Sequence, residues 1–144
     1  MGRILAIDYG FKRVGLAVTD PLRIIAGPLE MVHSKDLFTY LDAYFKKESV
    51  DIIVIGMPKD LDNNATDSTS QVVGVVRTLR KKYENIKVIE YDERFTSKIA
   101  FQRIIETGVN KKKRKDKGEI DIMSAIVILQ DFMSSRLFNE MGKL

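Results

Sequence analysis

Two runs of seven residues, 3–9 (RILAIDY) and 51–57 (DIIVIGM), are apolar at nearly every position. A strand with one exposed face alternates apolar and polar side chains, whereas a continuous apolar run is typical of a strand that is buried on both faces. Such strands lie in the centre of a sheet that is covered by helices on both sides. The two runs therefore predict an α/β domain with a layer of helices on each face of its sheet.

The order of the remaining elements narrows this architecture further. Residues 14–19 and 24–32 are two more apolar runs joined by short loops, which favours an antiparallel meander after the first strand. Apolar residues at helical spacing then alternate with strands, so that the predicted order is β-β-β-α-β-α-β-α-α. Helices are expected after a cap at Ser34 or Asp36, after Ser68, after Thr96, and from Glu119 to Arg136, with further strands at 51–57 and 87–91. This order predicts a mixed five-stranded sheet with helices on both faces, in a single domain that spans residues 1–144.

Composition excludes several classes of site. The chain has no cysteine and one histidine, so disulfide scaffolds, thiolate sites and multi-histidine zinc sites are excluded. We expect the single histidine, His33, to be a surface residue. No apolar stretch approaches the roughly 18 residues of a membrane-spanning helix, and the N-terminus lacks a signal-peptide pattern. We therefore expect a cytoplasmic protein without a membrane partner.

The positive charge is concentrated in one segment. The chain carries a net charge of +4, but residues 111–117 (KKKRKDK) hold six basic residues and one acidic residue. The rest of the chain has 18 basic and 19 acidic residues, so it is nearly neutral. A concentrated basic loop predicts a polyanionic partner, nucleic acid above all, although a solvated charge run is the alternative interpretation.

Three acidic residues interrupt or end apolar elements. Asp8 closes the first strand, Glu93 follows the 87–91 strand, and Asp121 lies at the start of the last helix. Because the ends of adjacent parallel strands lie at one edge of a sheet, the three carboxylates can converge there. Oxygen ligands without histidine or cysteine suit Mg²⁺ or Mn²⁺, and pairs of such ions about 3.5–4 Å apart support phosphodiester cleavage.

Structural roles for these acids remain open alternatives. Asp8 can form a turn, Glu93 can pair with Arg94, and Asp121 can stabilise a helix start. Asp92 competes with Glu93, because consecutive strand residues point to opposite faces and the sequence pattern does not choose between them.

Four segments of the sequence resemble, in order, the motifs of one bacterial family. They are 8–20 (DYGFKRVGLAVTD), 56–62 (GMPKDLD), 92–97 (DERFTS) and 121–132 (DIMSAIVILQDF), and together they span nearly the whole chain. The family is YqgF/RuvX, the Holliday-junction-resolvase-like proteins. The resemblance implies an RNase H-like fold and a nuclease implicated in maturation of the 5′ end of pre-16S ribosomal RNA.

The resemblance also implies roles for individual residues. The metal-binding acids of the family fall on Asp8, Glu93 and Asp121, which would hold two Mg²⁺ or Mn²⁺ ions. Its phosphate-contacting basic residues fall on Lys12, Arg13 and Arg94. The basic segment supplies the remaining candidates for nucleic-acid contact, which are Lys111, Lys112, Lys113, Arg114 and Lys115.

The sequence thus predicts a metal-dependent nuclease that acts on structured RNA, as a monomer or a homodimer. The alternatives are a Holliday junction resolvase that cuts branched DNA and a non-catalytic factor that binds nucleic acid or assists ribosome assembly. A nucleotide-binding ATPase of the actin/Hsp70 type is disfavoured, because that fold needs two such domains and the chain has no GxxxxGK[ST] phosphate loop.

Overall fold

A computed structural model of the protein describes residues 2–10, 12–57, 67–92 and 117–134, with the backbone alone at positions 67–69, 92 and 117–121. Five strands form one sheet in the spatial order β3-β2-β1-β4-β5. The first three strands are antiparallel, whereas β1, β4 and β5 are parallel to one another. The strands are β1 (Arg3–Tyr9), β2 (Arg13–Thr19), β3 (Ala26–His33), β4 (Val50–Met57) and β5 (Lys87–Asp92). The predicted mixed five-stranded sheet is confirmed.

Three helices and one 3₁₀ turn accompany the sheet in the described part of the chain. They are the turn Ser34–Asp36, α1 (Leu37–Lys47), α2 (Asp67–Lys82) and α3 (Lys117–Met133). The last helix begins two residues earlier than the predicted Glu119. The helix predicted after Thr96 lies outside the described residues. No helix within the described ranges is long and apolar enough to span a membrane.

The two faces of the sheet carry separate cores. On one face, α1 and α2 cover alternate residues of the central strands, among them Leu5 and Ile7 of β1 and Ile53 and Ile55 of β4. On the other face, α3 packs against the intervening residues. This second core contains Ile4, Ala6, Ala17, Ile52, Val54, Ile89, Ala125, Ile128, Leu129 and Phe132. Burial on both faces explains why the first and fourth strands are apolar at consecutive positions.

The third strand is shorter at its start than the sequence predicts. Residues 24–32 were expected to form it, but the strand runs from Ala26 to His33, and Ile24 and Ile25 lie in the preceding loop. The Asp20 carboxylate accepts hydrogen bonds from the backbone N–H groups of Ile24 and Ile25, at 2.7 and 2.8 Å. These bonds hold the two residues in a turn, so they are not available to extend the ladder.

The first helix also begins differently from the prediction, which placed its cap at Ser34 or Asp36. A 3₁₀ turn begins at Ser34, α1 itself begins at Leu37, and the side chain of Asp36, the residue before α1, makes no capping hydrogen bond. His33 is exposed, as expected, and its Nδ1 accepts a hydrogen bond of 3.1 Å from the Lys35 N–H. The histidine side chain therefore caps the turn that leads into α1.

Candidate active site

Asp8 lies next to the last residue of β1, the strand in the centre of the sheet. Alternate residues of a strand lie on the same face of the sheet. Ile4 and Ala6 belong to the core under α3, so Asp8, the next residue in this alternation, lies on that face too. The residue pairs with Gly15 of β2, and it is half-buried. The strand thus presents a partly buried carboxylate at its carboxyl end, on the face that α3 covers.

The turn after Asp8 positions the predicted basic pair. The Gly10 N–H donates a hydrogen bond of 3.0 Å to the Arg13 carbonyl, and a Cβ atom on Gly10 would lie 2.7 Å from that oxygen. The turn therefore needs glycine at this position. Lys12 is exposed at its tip, and the Lys12 carbonyl accepts a hydrogen bond of 3.2 Å from the Ser34 N–H. The structure brings Lys12 and Arg13 to the edge of the sheet at which Asp8 lies.

The parallel strands end at this same edge. Ile7 of β1 pairs with Ile55 of β4, which pairs with Glu90 of β5. The next positions along the three strands are Asp8, Gly56 and Tyr91, so the last residues of β5 are level with Asp8. The chain beyond Asp92, which begins with Glu93 and Arg94, therefore leaves β5 at the candidate edge. Glu93 and Arg94 themselves lie outside the described residues.

The C-terminal end of α3 contacts the sheet in two places. Gln130, Asp131, Met133 and Ser134 line a groove together with Ile24, Ile25 and Ala26, and Ala26 pairs with Thr19 beside the start of β1. The Thr19 hydroxyl accepts a hydrogen bond of 2.9 Å from the Ile4 N–H, which confirms that this is the edge where β1 begins. At the same end of α3, the ring of Phe132 contacts Tyr91, which is level with Asp8 across the sheet. The last turns of α3 therefore contact both the β2–β3 side and the β5 side of this face.

Asp8 is the one predicted metal ligand whose side chain is described. The side chain of Asp121 and all of Glu93 fall outside the described side chains, as do Lys111, Lys112, Lys113, Arg114 and Lys115. Among the described residues, no group of three or more histidine, aspartate or glutamate side chains is arranged to hold a metal ion. The predicted triad is therefore neither assembled nor excluded by this part of the chain. A half-buried carboxylate at the carboxyl end of the central strand suits a site built from oxygen ligands.

Tyr91 was not singled out from the sequence, and it lies on the same face as Asp8. Its ring makes an edge-to-face contact with Phe132 of α3, with ring centroids 6.4 Å apart. Burial, and then the Asp131 carboxylate, raises the pKa of Tyr91, so the phenol stays protonated over the physiological range. The signal that could have found it was the alternation of Ile89 and Tyr91 in the last strand. Its contact with Phe132 helps to fix α3 against the sheet.

The family model RuvX, described as Holliday junction resolvase, matches residues 2–135. A protein of Amoebophilus asiaticus named "Putative pre-16S rRNA nuclease" is 45% identical over 135 residues, which cover 94% of this chain and 96% of that protein. A protein of the same name from Flavobacterium johnsoniae is 46% identical over 138 residues, which cover 96% of this chain and all of that protein.

Solved structures agree on the fold. Thermus thermophilus RuvC in complex with a Holliday junction substrate aligns with a TM-score of 0.60 and 13% identity, over 99% of this chain and 97% of RuvC. Another structure of the Thermus thermophilus protein aligns with a TM-score of 0.56 and 14% identity. At these identities the likeness shows the RNase H-like fold alone. Because the family model covers nearly the whole chain and the curated relatives match it almost end to end, the chain belongs to the RuvX family of nuclease-like proteins.

Proposed function

We propose that this protein is a divalent-metal-dependent nuclease that acts on structured RNA in the maturation of the 5′ end of pre-16S ribosomal RNA. The observation that carries the proposal is the half-buried carboxylate of Asp8, at the carboxyl end of the central strand and on the face that α3 covers. The names of the two curated relatives, which match over nearly the whole chain, support ribosomal RNA as the substrate. Such a substrate implies a cytoplasmic enzyme.

Asp8, Glu93 and Asp121 are the residues that would hold the ions. The topology supports this set, because the end of β1 and the end of β5 lie at one edge of the sheet, and α3 packs on the face that carries Asp8. Carboxylate oxygens suit Mg²⁺ or Mn²⁺. When bound, a pair of such ions supplies positive charge to the phosphodiester as negative charge develops on it.

The basic residues at this edge suit the backbone of a nucleic acid. Lys12 is exposed at the tip of the turn after Asp8, and Arg13 begins the strand beside it. Arg94 follows β5 two residues after Asp92. Lysine offers a mobile point charge, whereas arginine binds phosphate oxygens with a planar fork, so both kinds of contact are available here. These contacts recognise phosphate rather than base sequence, so we assign specificity to the folded shape of the RNA.

A junction resolvase is the second candidate function, and one observation favours it. The fold matches Thermus thermophilus RuvC over nearly the full length of both chains, and that structure contains a Holliday junction substrate. A resolvase cuts two strands symmetrically and normally acts as a homodimer, whereas a nuclease that trims RNA can act as a monomer. The substrate therefore separates the two functions.

The proposed function is tested by offering both substrates to the full-length protein in Mg²⁺ or Mn²⁺. We expect cleavage of an end-labelled pre-16S RNA leader at defined positions and no cleavage of a four-way DNA junction. Symmetric cleavage of the junction with an intact RNA leader would replace the proposal by the resolvase function. Tight binding of the RNA without cleavage in either metal would identify a non-catalytic factor.

The basic segment is expected to bind the RNA backbone. Six positive charges that engage three or four phosphates contribute a slope of roughly 2–4 to the dependence of log K on log salt, at about 0.7–0.9 per phosphate. We expect this slope to flatten by about that amount when the segment is neutralised, as measured by titration of labelled RNA at several salt concentrations. The substitutions are to serine at Lys111, Lys112, Lys113, Arg114 and Lys115, which removes five of the six positive charges and leaves Lys117 balanced by Asp116.

A matched control removes the same number of charges elsewhere. Five exposed basic residues on or beside α1 and α2 can be changed to serine together, namely Lys46, Lys47, Arg77, Lys81 and Lys87. We expect the control to leave the salt slope close to that of the unmodified protein. An equal flattening in both variants would show that net charge, rather than the segment, determines binding.

A further inference from the structure

The loop between β2 and β3 exposes three large aliphatic side chains. Leu22, Ile24 and Ile25 are 66%, 66% and 68% exposed with the whole chain of 144 residues in place. We call these three residues the apolar patch. Single exposed apolar residues are ordinary on protein surfaces, but a contiguous group of them is typical of a binding surface. Because the chain leaves the patch open, its occupant would be another molecule.

The loop that carries the apolar patch has a fixed shape. Arg23 has a φ of 58°, a left-handed conformation that is strained for a residue with a side chain. Its guanidinium donates hydrogen bonds to the Gly2 carbonyl at 2.9 Å and to the Asp51 carboxylate at 3.0 Å. With 7% of its side chain exposed, Arg23 anchors the loop beside the residues at which β1 and β4 begin. Binding at the patch therefore requires little further ordering of the loop.

A groove of about 420 Å³ runs beside the apolar patch, and this volume lies within the range of small-ligand sites. One wall belongs to the β2–β3 loop and the start of β3, and the other belongs to the C-terminal end of α3. The lining residues are Ile24, Ile25, Ala26, Gln130, Asp131, Met133 and Ser134. The groove thus joins part of the apolar patch to polar side chains of α3.

The groove is separate from the candidate active site. Ala26 in its wall pairs with Thr19, whose hydroxyl accepts a hydrogen bond from the Ile4 N–H. Ile4 precedes Asp8 by four residues, which is about 13 Å along the strand. An occupant of the groove would therefore bind away from the carboxylate of Asp8.

Two carboxylates give this surface a negative charge. Asp131 is half-buried in the groove wall, and it forms no ion pair with any residue that the structure describes. The backbone N–H groups of the loop, that of Ile25 above all, lower the pKa of Asp20, so this carboxylate is charged at neutral pH. The positive charge of Arg23 is paired with Asp51. The surface is therefore apolar with an excess of negative charge.

This combination disfavours two kinds of occupant. The carboxylates repel phosphate, so RNA does not suit the surface. A two-fold contact between copies of the chain would bring the same carboxylates together. A stable dimer also buries roughly 800 Å² on each partner, which three side chains and a narrow groove do not supply. A short segment that combines aliphatic side chains with a positive charge is complementary to the surface.

We propose that the apolar patch and its groove bind a short segment of another protein in which a lysine or arginine lies between aliphatic residues. The aliphatic side chains pack against Ile24 and Ile25, and the basic group lies at the Asp131 carboxylate. Burial of apolar surface supplies affinity, and the paired charges set the orientation of the segment. The proposal does not rest on the proposed nuclease function, because it concerns a surface away from Asp8.

Disulfide exchange tests the chemistry of the groove, since the chain has no cysteine of its own. Ser134→Cys places one thiol on the groove wall, and Thr78→Cys places a reference thiol on α2, over the opposite face. The cationic probe is a disulfide whose arms carry an isobutyl group and a primary ammonium group. Two further probes replace the ammonium by a carboxylate or omit the isobutyl group. Intact mass measures labelling at equilibrium with excess mercaptoethanol.

We expect the cationic isobutyl probe to label Ser134→Cys with an exchange constant at least about tenfold that at Thr78→Cys, as burial of a leucine-sized group supports. The anionic probe and the probe without isobutyl should label the two thiols about equally. Equal labelling of the two thiols by the cationic isobutyl probe would overturn the proposal.

Matched variants separate charge from apolar contact. In the Ser134→Cys background, Asp131→Asn should remove the preference for the cationic over the anionic probe. Ile24→Ser/Ile25→Ser should remove the preference for the probe that carries isobutyl. Thermal unfolding checks that both variants are folded. A preference that survives its own variant would contradict the assigned contact.

The same double substitution, without the cysteine, examines the other occupants. Ile24→Ser/Ile25→Ser should change neither the mass in sedimentation equilibrium nor the binding of the RNA leader. A dimer that is lost in this variant would make a second copy the occupant and overturn the proposal. Weaker binding of the leader would make the surface part of the RNA interface and overturn it as well.

Discussion

Replacing Asp8 with asparagine is expected to slow RNA cleavage by at least about 10³-fold, because carboxylate-held ions contribute several kcal/mol at the transition state and each 1.4 kcal/mol or so is tenfold in rate. Asparagine keeps the size and shape of the side chain and removes the negative charge. The half-buried position of Asp8 on the central strand leaves no neighbouring strand residue to replace that charge on the same face. Single-turnover cleavage at a fixed Mn²⁺ concentration measures the effect.

The control for this variant is Glu84→Gln. Glu84 is an exposed acid between α2 and β5, near the edge of the sheet opposite Asp8, so its loss removes one charge without touching the candidate site. We expect the control to cleave at the rate of the unmodified protein. Circular dichroism and thermal unfolding should show that both variants are folded. Cleavage by Asp8→Asn at the unmodified rate would refute the metal site.

The three proposed ligands are expected to act as a unit. Combining Asp8→Asn with Asp121→Asn should slow cleavage little more than either change alone, because the loss of one ligand already disables the site. Rates that multiply would instead indicate that the two residues act in separate steps.

The central strands could be predicted because adjacent residues in them are apolar, which shows that both faces of the strand are buried. Ile4 and Leu5 are adjacent in the sequence and both are buried, one under α3 and the other under the layer of α1 and α2. A run of consecutive buried residues such as Ile4–Ile7, in a segment of strand length, is typical of a strand covered on both faces. The mixed sheet and its two helix layers therefore followed from local sequence.

The β2–β3 loop was not predictable in the same way. Ile24 and Ile25 are apolar and border a strand, so the pattern extends the strand to include them. Their exposure depends on the Asp20 carboxylate, which binds their N–H groups, and on a left-handed Arg23 held by Asp51 from another strand. Such long-range anchoring leaves no periodic trace.

The sequence predicts Asp8 as a candidate site residue. It does not predict which other residues lie beside Asp8 in the folded sheet. An acid that ends a buried strand marks Asp8 from sequence alone. The alignment of β5 with β1 depends on the register of β4 between them, in which Ile55 pairs with Ile7 on one side and Glu90 on the other. Register between strands separated by tens of residues is a property of the sheet, not of any one segment.

That register now distinguishes Asp92 from Glu93 as a proposed ligand. Ile89 and Tyr91 pack on the face of α3, and Val88 belongs to the core under α1 and α2. Position 92 pairs with Met57, a member of the same core as Val88. Alternation that continued for one more residue would bring position 93 to the face of Asp8. We therefore propose Glu93, rather than Asp92, as the second ligand.

The corresponding prediction compares two single variants that each remove one negative charge. Glu93→Gln should slow cleavage of the RNA leader about as much as Asp8→Asn, by at least about 10³-fold, and Asp92→Asn should stay within about threefold of the unmodified protein. Because the substitutions are adjacent in the chain, they change the net charge and the local electrostatic field almost equally. A difference between them therefore reports which face of the strand carries the site.

Mn²⁺ binding measured by calorimetry on the same two variants separates ligand loss from misfolding. Glu93→Gln should weaken the binding of Mn²⁺ and keep the thermal unfolding midpoint, whereas Asp92→Asn should keep both. Equal losses of cleavage in the two variants would show that β5 does not keep its alternation beyond Asp92. A larger loss in Asp92→Asn would move the ligand to the residue that pairs with Met57, and the site would then have to lie on the face of α1 and α2, away from Asp8.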